Sequence, residues 1–563
     1  MKQLHHLFIY VVIVVSCTNH NQFNSNSGTI VKNAMVSSAH PLASAIGIDI
    51  MNNGGNAIDA AIATHFALTV VYPQAGNIGG GGFAVIRMND GTINSLDFRE
   101  KAPALAHRDM YLNAEGQLND LQSTHGHMAS GVPGSVDGMF TLHQKYGTLP
   151  MFELIEPSIE MARRGYVLTP LAAEILNTKQ EEFQTYNRWS TPYHSDENWQ
   201  AGDTITQPDL AQTLEHIQSN GRNGFYEGIV ADQIVAEIQS GNGLISLADL
   251  KNYQSVWRKP ITGNYRGHQI ISMAPPSSGG IALIQLLKGT EGYPIADWGH
   301  NSLKTIHLMA ELERRVYADR ATYLGDPDFI DVPVDQLLDS VYNQKRYVDI
   351  SFDKATPSVL VSSGKIPPSE SPETTHISVV DANGNAVAIT TTLNSSFGNK
   401  VMVKGAGFFL NNEMDDFSSK PGSPNQFGLI GGKANAIAPH KRMLSSMTPT
   451  IVTYMDQLKM VVGTPGGSTI ITSVYQTLLN VIDHGMGMQE AVNAKRVHHQ
   501  WYPDEIRVET DALTENVQTD LEKLGHQLRI TDKIGRMDCI LVLPDGRLEG
   551  GADPRGDNAA LGY

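Results

Sequence analysis

The chain has 563 residues, 41% of them hydrophobic, and a formal net charge of −17, so it is long enough to bury a large core. Its 41 Lys and Arg include no run of five or more, which excludes the clustered cations that nucleic-acid phosphates need. The 52 Gly and 27 Pro are spread throughout, with no linker, repeat or low-complexity stretch. Fewer domains are therefore expected than the roughly three or four that length alone suggests.

At the N-terminus, Lys2 precedes an apolar run over residues 7–15, the make-up of an export signal and too short to span a bilayer core of about 30 Å. The run ends in Val14-Val15-Ser16-Cys17, which resembles a bacterial lipoprotein box. Residues 1–16 are read as the signal peptide, Cys17 as the lipidated residue, and residues 17–28, polar and rich in Asn and Ser, as a tether. An ordinary cleaved signal and an uncleaved anchor are the alternatives. Cys539 is the other cysteine of the chain and lies in the apolar, strand-like run 538–543. It is read as a buried structural thiol, and the fold as held by its core without a disulfide.

Residues 29–373 mix helices and strands. An Ala-rich helix is expected over residues 56–70, a strand over 83–87, and helices over 208–218, where Gly221 can stop it, 229–239 and 302–323. The glycine tract 79–82 lacks the Lys and Ser/Thr of a phosphate loop and reads as a tight turn or close backbone packing. After residue 373 the pattern turns strand-rich, and a helix is expected over 468–482. Residues 420–432 carry two Pro and four Gly without periodicity and read as a mobile loop.

Short strands are expected at 376–380 and 386–393, joined by Asp381-Ala382-Asn383-Gly384. Asp first and Gly fourth suit a type I turn, which commonly builds a three-residue hairpin loop with the Gly in a bulge. Pairing Asp381 with Asn385 then sets Thr374 opposite Thr392, with Cβ atoms about 4.5–5.5 Å apart. A two-residue Asn-Gly loop would instead put the two threonines on opposite faces.

Around this hairpin the chain offers Thr374-Thr375-His376, Thr392-Leu393-Asn394, Glu413-Met414-Asp415-Asp416, Ser445-Ser446 and Pro465-Gly466-Gly467-Ser468. Hydroxyl nucleophiles, carboxylates, amides and a glycine pair before a helix start suit acyl transfer on a substrate with a charged amino-acid head. Their order resembles the γ-glutamyltransferase (glutathione hydrolase) family of N-terminal-nucleophile hydrolases, from about residue 30 to the C-terminus. Pattern alone yields a mixed α/β chain. The resemblance implies a four-layer α-β-β-α sandwich, formed jointly by a large subunit, residues 29–373, and a small one, residues 374–563.

The resemblance further implies autocatalytic cleavage between Glu373 and Thr374 and makes Thr374 the nucleophile. Its freed α-amino group, with an ordinary pKa of about 7.7–8.0, can then act as the base. Thr392 corresponds to the threonine that orients the nucleophile's hydroxyl, and Gly466 and Gly467 to donors for the oxyanion. Arg99, Ser445 and Ser446 match residues that hold the substrate α-carboxylate, and Asn394, Glu413 and Asp416 match those that accept from its α-ammonium. Phe427 stands in the lid loop where some relatives carry Tyr. Adjacent His498 and His499 diverge on any regular element and have no ligand-spaced Cys or carboxylate, so neither a metal nor a cofactor is expected.

The expectation is a lipid-anchored enzyme of the bacterial cell envelope that cleaves γ-glutamyl amides such as glutathione. It would pass the acyl group to water, an amino acid or a dipeptide. The rivals are a β-lactam side-chain acylase, a poly-γ-glutamate depolymerase and a binding lipoprotein that never matures. Asp416 counts against the acylase, since an acyl group without an α-ammonium gains nothing from a buried carboxylate.

Overall fold

The computed structural model describes residues 28–362, 374–419 and 432–563. The signal and tether readings up to residue 27, Cys17, Glu373 and the lid-loop Phe427 lie outside the described residues.

Two seven-stranded antiparallel sheets form the centre of the molecule. One runs Ala559–Gly562, Met35–Ser38, Thr374–Val380, Ala386–Thr392, Gly81–Arg87, Ile93–Asp97, Val256–Arg258. The other runs Ile30–Val31, Leu548–Ala552, Asp538–Val542, Gln457–Val462, Thr450–Tyr454, His268–Ser272, Ile261–Tyr265.

The period-two alternation of side chains makes the layers. Phe83, Val85, Ala386 and Ala388 of the first sheet meet Ile271, Ile451, Val461 and Ile540 of the second in one cluster. Their neighbours in sequence face outward. Ala84, Ile86, Val387 and Ile389 pack under helices that include Ala57–Val71, Met151–Arg164 and Pro208–Asn220. Ile270, Val452, Met460, Cys539 and Leu541 pack under Gly279–Glu291, Leu303–Tyr323 and Thr469–Ile482. The result is the expected α-β-β-α sandwich. Both sheets take strands from each side of residue 373.

Sequence punctuation and structure agree closely. Asn56 and Ser302 cap rather than begin their helices; Asn56 forms a capping box with Asp59, an arrangement worth about 1 kcal/mol. Gly221 ends Pro208–Asn220 with a φ of 63°. The strand expected from residue 376 begins two residues earlier, at Thr374, because Thr391 and Thr392 of the hairpin's second strand extend the pairing to Thr375 and Thr374. Cys539 is fully buried in its strand. Among the described residues, no helix is long and apolar enough to cross a membrane.

Candidate active site

Asp381 sets the hairpin register. Its N–H donates to the Asn385 carbonyl at 3.1 Å and its carbonyl accepts from the Gly384 N–H at 3.0 Å, while Gly384 adopts a φ of 82°. This is the three-residue loop, and the two-residue alternative is excluded. Its carboxylate accepts from the N–H groups of Asn383 and Asn385 and, at 3.0 Å, from Ala57 at the start of the neighbouring helix. Thr374 therefore lies directly opposite Thr392, on the same face.

Thr392 is fixed from three sides. Its hydroxyl oxygen accepts from the Asn394 N–H at 2.7 Å and its carbonyl from Asn77 Nδ2 at 3.0 Å. Gly80 lies against that same carbonyl so closely that a Cβ there would overlap it. The glycine tract is close backbone packing, as expected. His376, third in the Thr-Thr-His motif, is buried with its ring nitrogens on the Thr390 and Ser378 hydroxyls at 2.8 and 3.1 Å. Burial pulls its pKa down to about 3, so it stays neutral and belongs to the sheet.

Gly466 and Gly467 adopt φ values of 138° and 56°, backbone that favours glycine, immediately before the helix Thr469–Ile482. Their carbonyls accept from the Thr469 and Ile470 N–H groups, and among the described residues no hydrogen bond engages their own N–H groups. Gly467 lines the cavity described below; Gly466 does not.

Arg99 is held by Asp97, whose carboxylate accepts from its backbone N–H at 3.0 Å. Its guanidinium donates to Glu413 through Nη1 and to Asp416 through Nη2, and reaches the Met443 and Leu444 carbonyls at 3.4 and 3.2 Å. Glu100 Oε2 stands 3.5 Å from Nη1. The sequence reading assigned Arg99 and the two carboxylates to opposite ends of a substrate. The structure joins them into one network, because three acidic side chains must share the single guanidinium among them.

Burial governs this network. It lifts Glu413 well above the carboxylate range, with repulsion from Glu100 next. It lifts Glu100 to about 7 and also raises Asp416, in both cases against the pull of Arg99. Burial alone would lower the Arg99 pKa, and the three carboxylates raise it instead. Glu413 Oε2 and Glu100 Oε1 are buried and have no hydrogen-bond partner among the described residues. Asp416, with 13% of its side chain exposed, is the acid that reaches solvent.

Asn394, at a φ of 73°, donates Nδ2 to the Asn412 carbonyl at 3.0 Å, which leaves Oδ1 as an acceptor. Ser445 Oγ accepts from the Met447 N–H at 3.2 Å, and Ser446 Oγ accepts from Arg320 Nη2 at 2.9 Å. One cavity is lined by Arg99, Thr374, Thr392, Asn394, Glu413, Asp416, Ser445, Ser446 and Gly467, with Met447 and Ile470. Nine of the ten residues assigned to catalysis and substrate binding thus meet at one place, and Gly466 adjoins it. Sequence reading missed Arg320 and Glu100. Glu100 adjoins Arg99 and was findable; Arg320 carried no local signal.

A threonine hydroxyl beside backbone donors, with a cation, carboxylates, hydroxyls and an amide grouped nearby, is equipped for acyl transfer from a small zwitterionic substrate. Among the described residues, no group of three or more His, Cys, Asp or Glu is arranged to hold a metal ion. His498 bonds Thr472 and Gln500 at 2.8 and 2.7 Å, whereas His499 bonds Asp504 at 3.3 Å.

The family described as gamma-glutamyltranspeptidase matches residues 43–563. The chain belongs to the γ-glutamyltranspeptidase family. It is 45% identical over 535 residues to a glutathione hydrolase proenzyme of Escherichia coli K12, covering 94% of this chain and 92% of that one. Among solved structures, it resembles a cephalosporin acylase from Bacillus halodurans with a TM-score of 0.82 at 27% identity, covering 95% and 97% of the two chains. It also resembles the γ-glutamyltranspeptidase of Helicobacter pylori with a TM-score of 0.56 at 45% identity, covering 58% of this chain and 94% of that one. The N-terminal-nucleophile fold and the precursor form named in the relative agree with the sandwich in which both sides of residue 373 interleave.

Proposed function

We propose that this γ-glutamyltranspeptidase-family enzyme cleaves γ-glutamyl amides such as glutathione with Thr374 as nucleophile. The observation that carries the reading is the opposition of Thr374 and Thr392 at the cavity that also holds Arg99, Asp416, Ser445 and Ser446.

In the precursor, the Thr374 nitrogen is an amide and is no base. Its hydroxyl attacks the Glu373 carbonyl, the C–N bond breaks, and the resulting ester is hydrolysed. That frees an α-amine on Thr374, divides the chain after residue 373, and leaves residues 29–373 and 374–563 in one body. In turnover the amine takes the hydroxyl proton as Oγ attacks the γ-carbonyl. The Gly466 and Gly467 N–H groups receive the oxyanion, where loss of one such donor typically costs about 2.7–4 kcal/mol. The amine proton passes to the leaving amine, and water or an amino acid or dipeptide then takes the γ-glutamyl group from the ester.

Arg99, Ser445 and Ser446 meet the α-carboxylate, and Asn394, Glu413 and Asp416 the α-ammonium. A cephalosporin acylase reading has support from fold likeness, and the carboxylates at the cavity weigh against it. Lipidation of Cys17 after removal of residues 1–16 would tether the enzyme in the bacterial envelope through residues 17–28.

Incubating purified protein with glutathione, with and without a dipeptide acceptor, tests the activity directly. A denaturing gel run alongside tests processing: two fragments, the smaller beginning Thr-Thr-His, are expected. An intact chain, or no release of glutamate or γ-glutamyl dipeptide, refutes the proposal.

A further inference from the structure

Ser445 and Ser446 are held in place by one buried arginine that does not itself line the cavity. Arg320 is 3% exposed and leaves the last turn of the helix Leu303–Tyr323. Its Nε donates to Ser278 Oγ and its Nη2 to Ser446 Oγ, both at 2.9 Å. Ser278 then grips the other serine: its N–H and its hydroxyl both donate to the Ser445 carbonyl, each at 2.7 Å. A single guanidinium thus fixes Ser446 directly and Ser445 through one intermediary.

The direction of these bonds decides what the serines can offer. A guanidinium only donates, so Ser446 Oγ must be the acceptor and its own proton points away from Arg320. Ser445 Oγ likewise accepts, from the Met447 N–H. Each hydroxyl oxygen thus has a fixed donor against it, which sets its orientation at the cavity wall.

We infer that Arg320 is a positioning residue for substrate recognition: it holds the Ser445–Ser446 pair in the orientation that meets the substrate's α-carboxylate. The inference rests on the γ-glutamyl reading above.

The test compares two anilides, γ-glutamyl and 4-aminobutyryl; the second lacks the α-carboxylate and keeps an amine. Arg320→Met should raise KM for the γ-glutamyl donor about tenfold or more with a smaller change in kcat, the size expected for losing a charged hydrogen-bond donor. Relative to it, kcat/KM for the 4-aminobutyryl donor should be largely spared. Arg320→Lys, one cation without the fork, should fall between. In a Ser446→Ala background, Arg320→Met should add much less, because the hydroxyl it directs is gone. Equal proportional losses on both anilides, or full additivity with Ser446→Ala, would overturn the inference. If Arg320→Met does not fold, Ser278→Ala tests the same relay and should show the same selectivity more weakly; an unselective loss there also overturns it. Failure of the wild-type enzyme on the γ-glutamyl anilide would instead count against the proposed function.

Discussion

Thr374 and Thr392 are opposed residues of one antiparallel pair, and Thr392 is in turn opposed to Gly81 on its other side. Thr392 is therefore clamped between two strands, with Asn77 and Gly80 against its carbonyl. A nucleophile whose neighbour cannot drift needs little reorganisation on reaching the transition state.

The hydroxyl of Thr374 should be needed twice. Thr374→Ala is expected to abolish both processing and turnover, while Thr374→Ser retains partial processing. Gel analysis of freshly purified and long-incubated protein, followed by turnover assays, checks this. Wild-type maturation and turnover in Thr374→Ala would mean that another group attacks.

Asp416→Asn keeps shape and removes the acid with the greatest access to solvent in the Arg99 network. A buried pair broken at one end typically costs about 3–5 kcal/mol, and solvent access should reduce that here. A large fall in kcat/KM is expected for γ-glutamyl anilides with processing largely intact, and a much smaller one for glutaryl anilides, which lack the α-ammonium. Equal proportional losses on the two would assign Asp416 to the fold instead.

Gly80→Ala should act on Thr392, the residue opposite Thr374, through its backbone. The added Cβ would overlap the Thr392 carbonyl, backbone that cannot swing aside. Overpacking of this kind costs about 1–3 kcal/mol. Denaturant midpoints should fall, and turnover should fall by more than the lost folded fraction explains, because Thr392 is displaced. Unchanged turnover per folded molecule would refute a tight coupling between the glycine tract and the threonine pair.

Glu100 should leave a signature in stability against pH. Burial lifts its carboxyl from 4.5 to about 7, so between those values the folded protein holds a proton that the unfolded chain has lost. Stability from this group is then highest at the acidic end of that window and is lost as pH rises towards 7, with an upper limit of about 3 kcal/mol. Glu100→Gln, which cannot ionise, should flatten the difference in denaturant midpoint between about pH 5 and about pH 8. An unchanged pH slope in the variant would place the effect elsewhere.

The hairpin could be read from the sequence because its determinants are local. Asp381 and Gly384 define a turn within a few residues, the turn sets register, and register carries Thr374 to Thr392 across the pair. Helix starts at Asn56 and Ser302 were legible for the same reason. The order of the site motifs identified the family, and with it the sandwich and the cavity residues. The links that bind the network together lay beyond local reasoning. Arg99 meets Glu413 and Asp416 across 314 and 317 residues, and Arg320 meets Ser446 across 126. No periodicity or spacing encodes such pairings, which arise only when separate layers close on one another. The charge states of Glu100, Glu413 and Asp416 are likewise properties of the packed interior, since burial, absent from an isolated chain segment, is the largest influence on each.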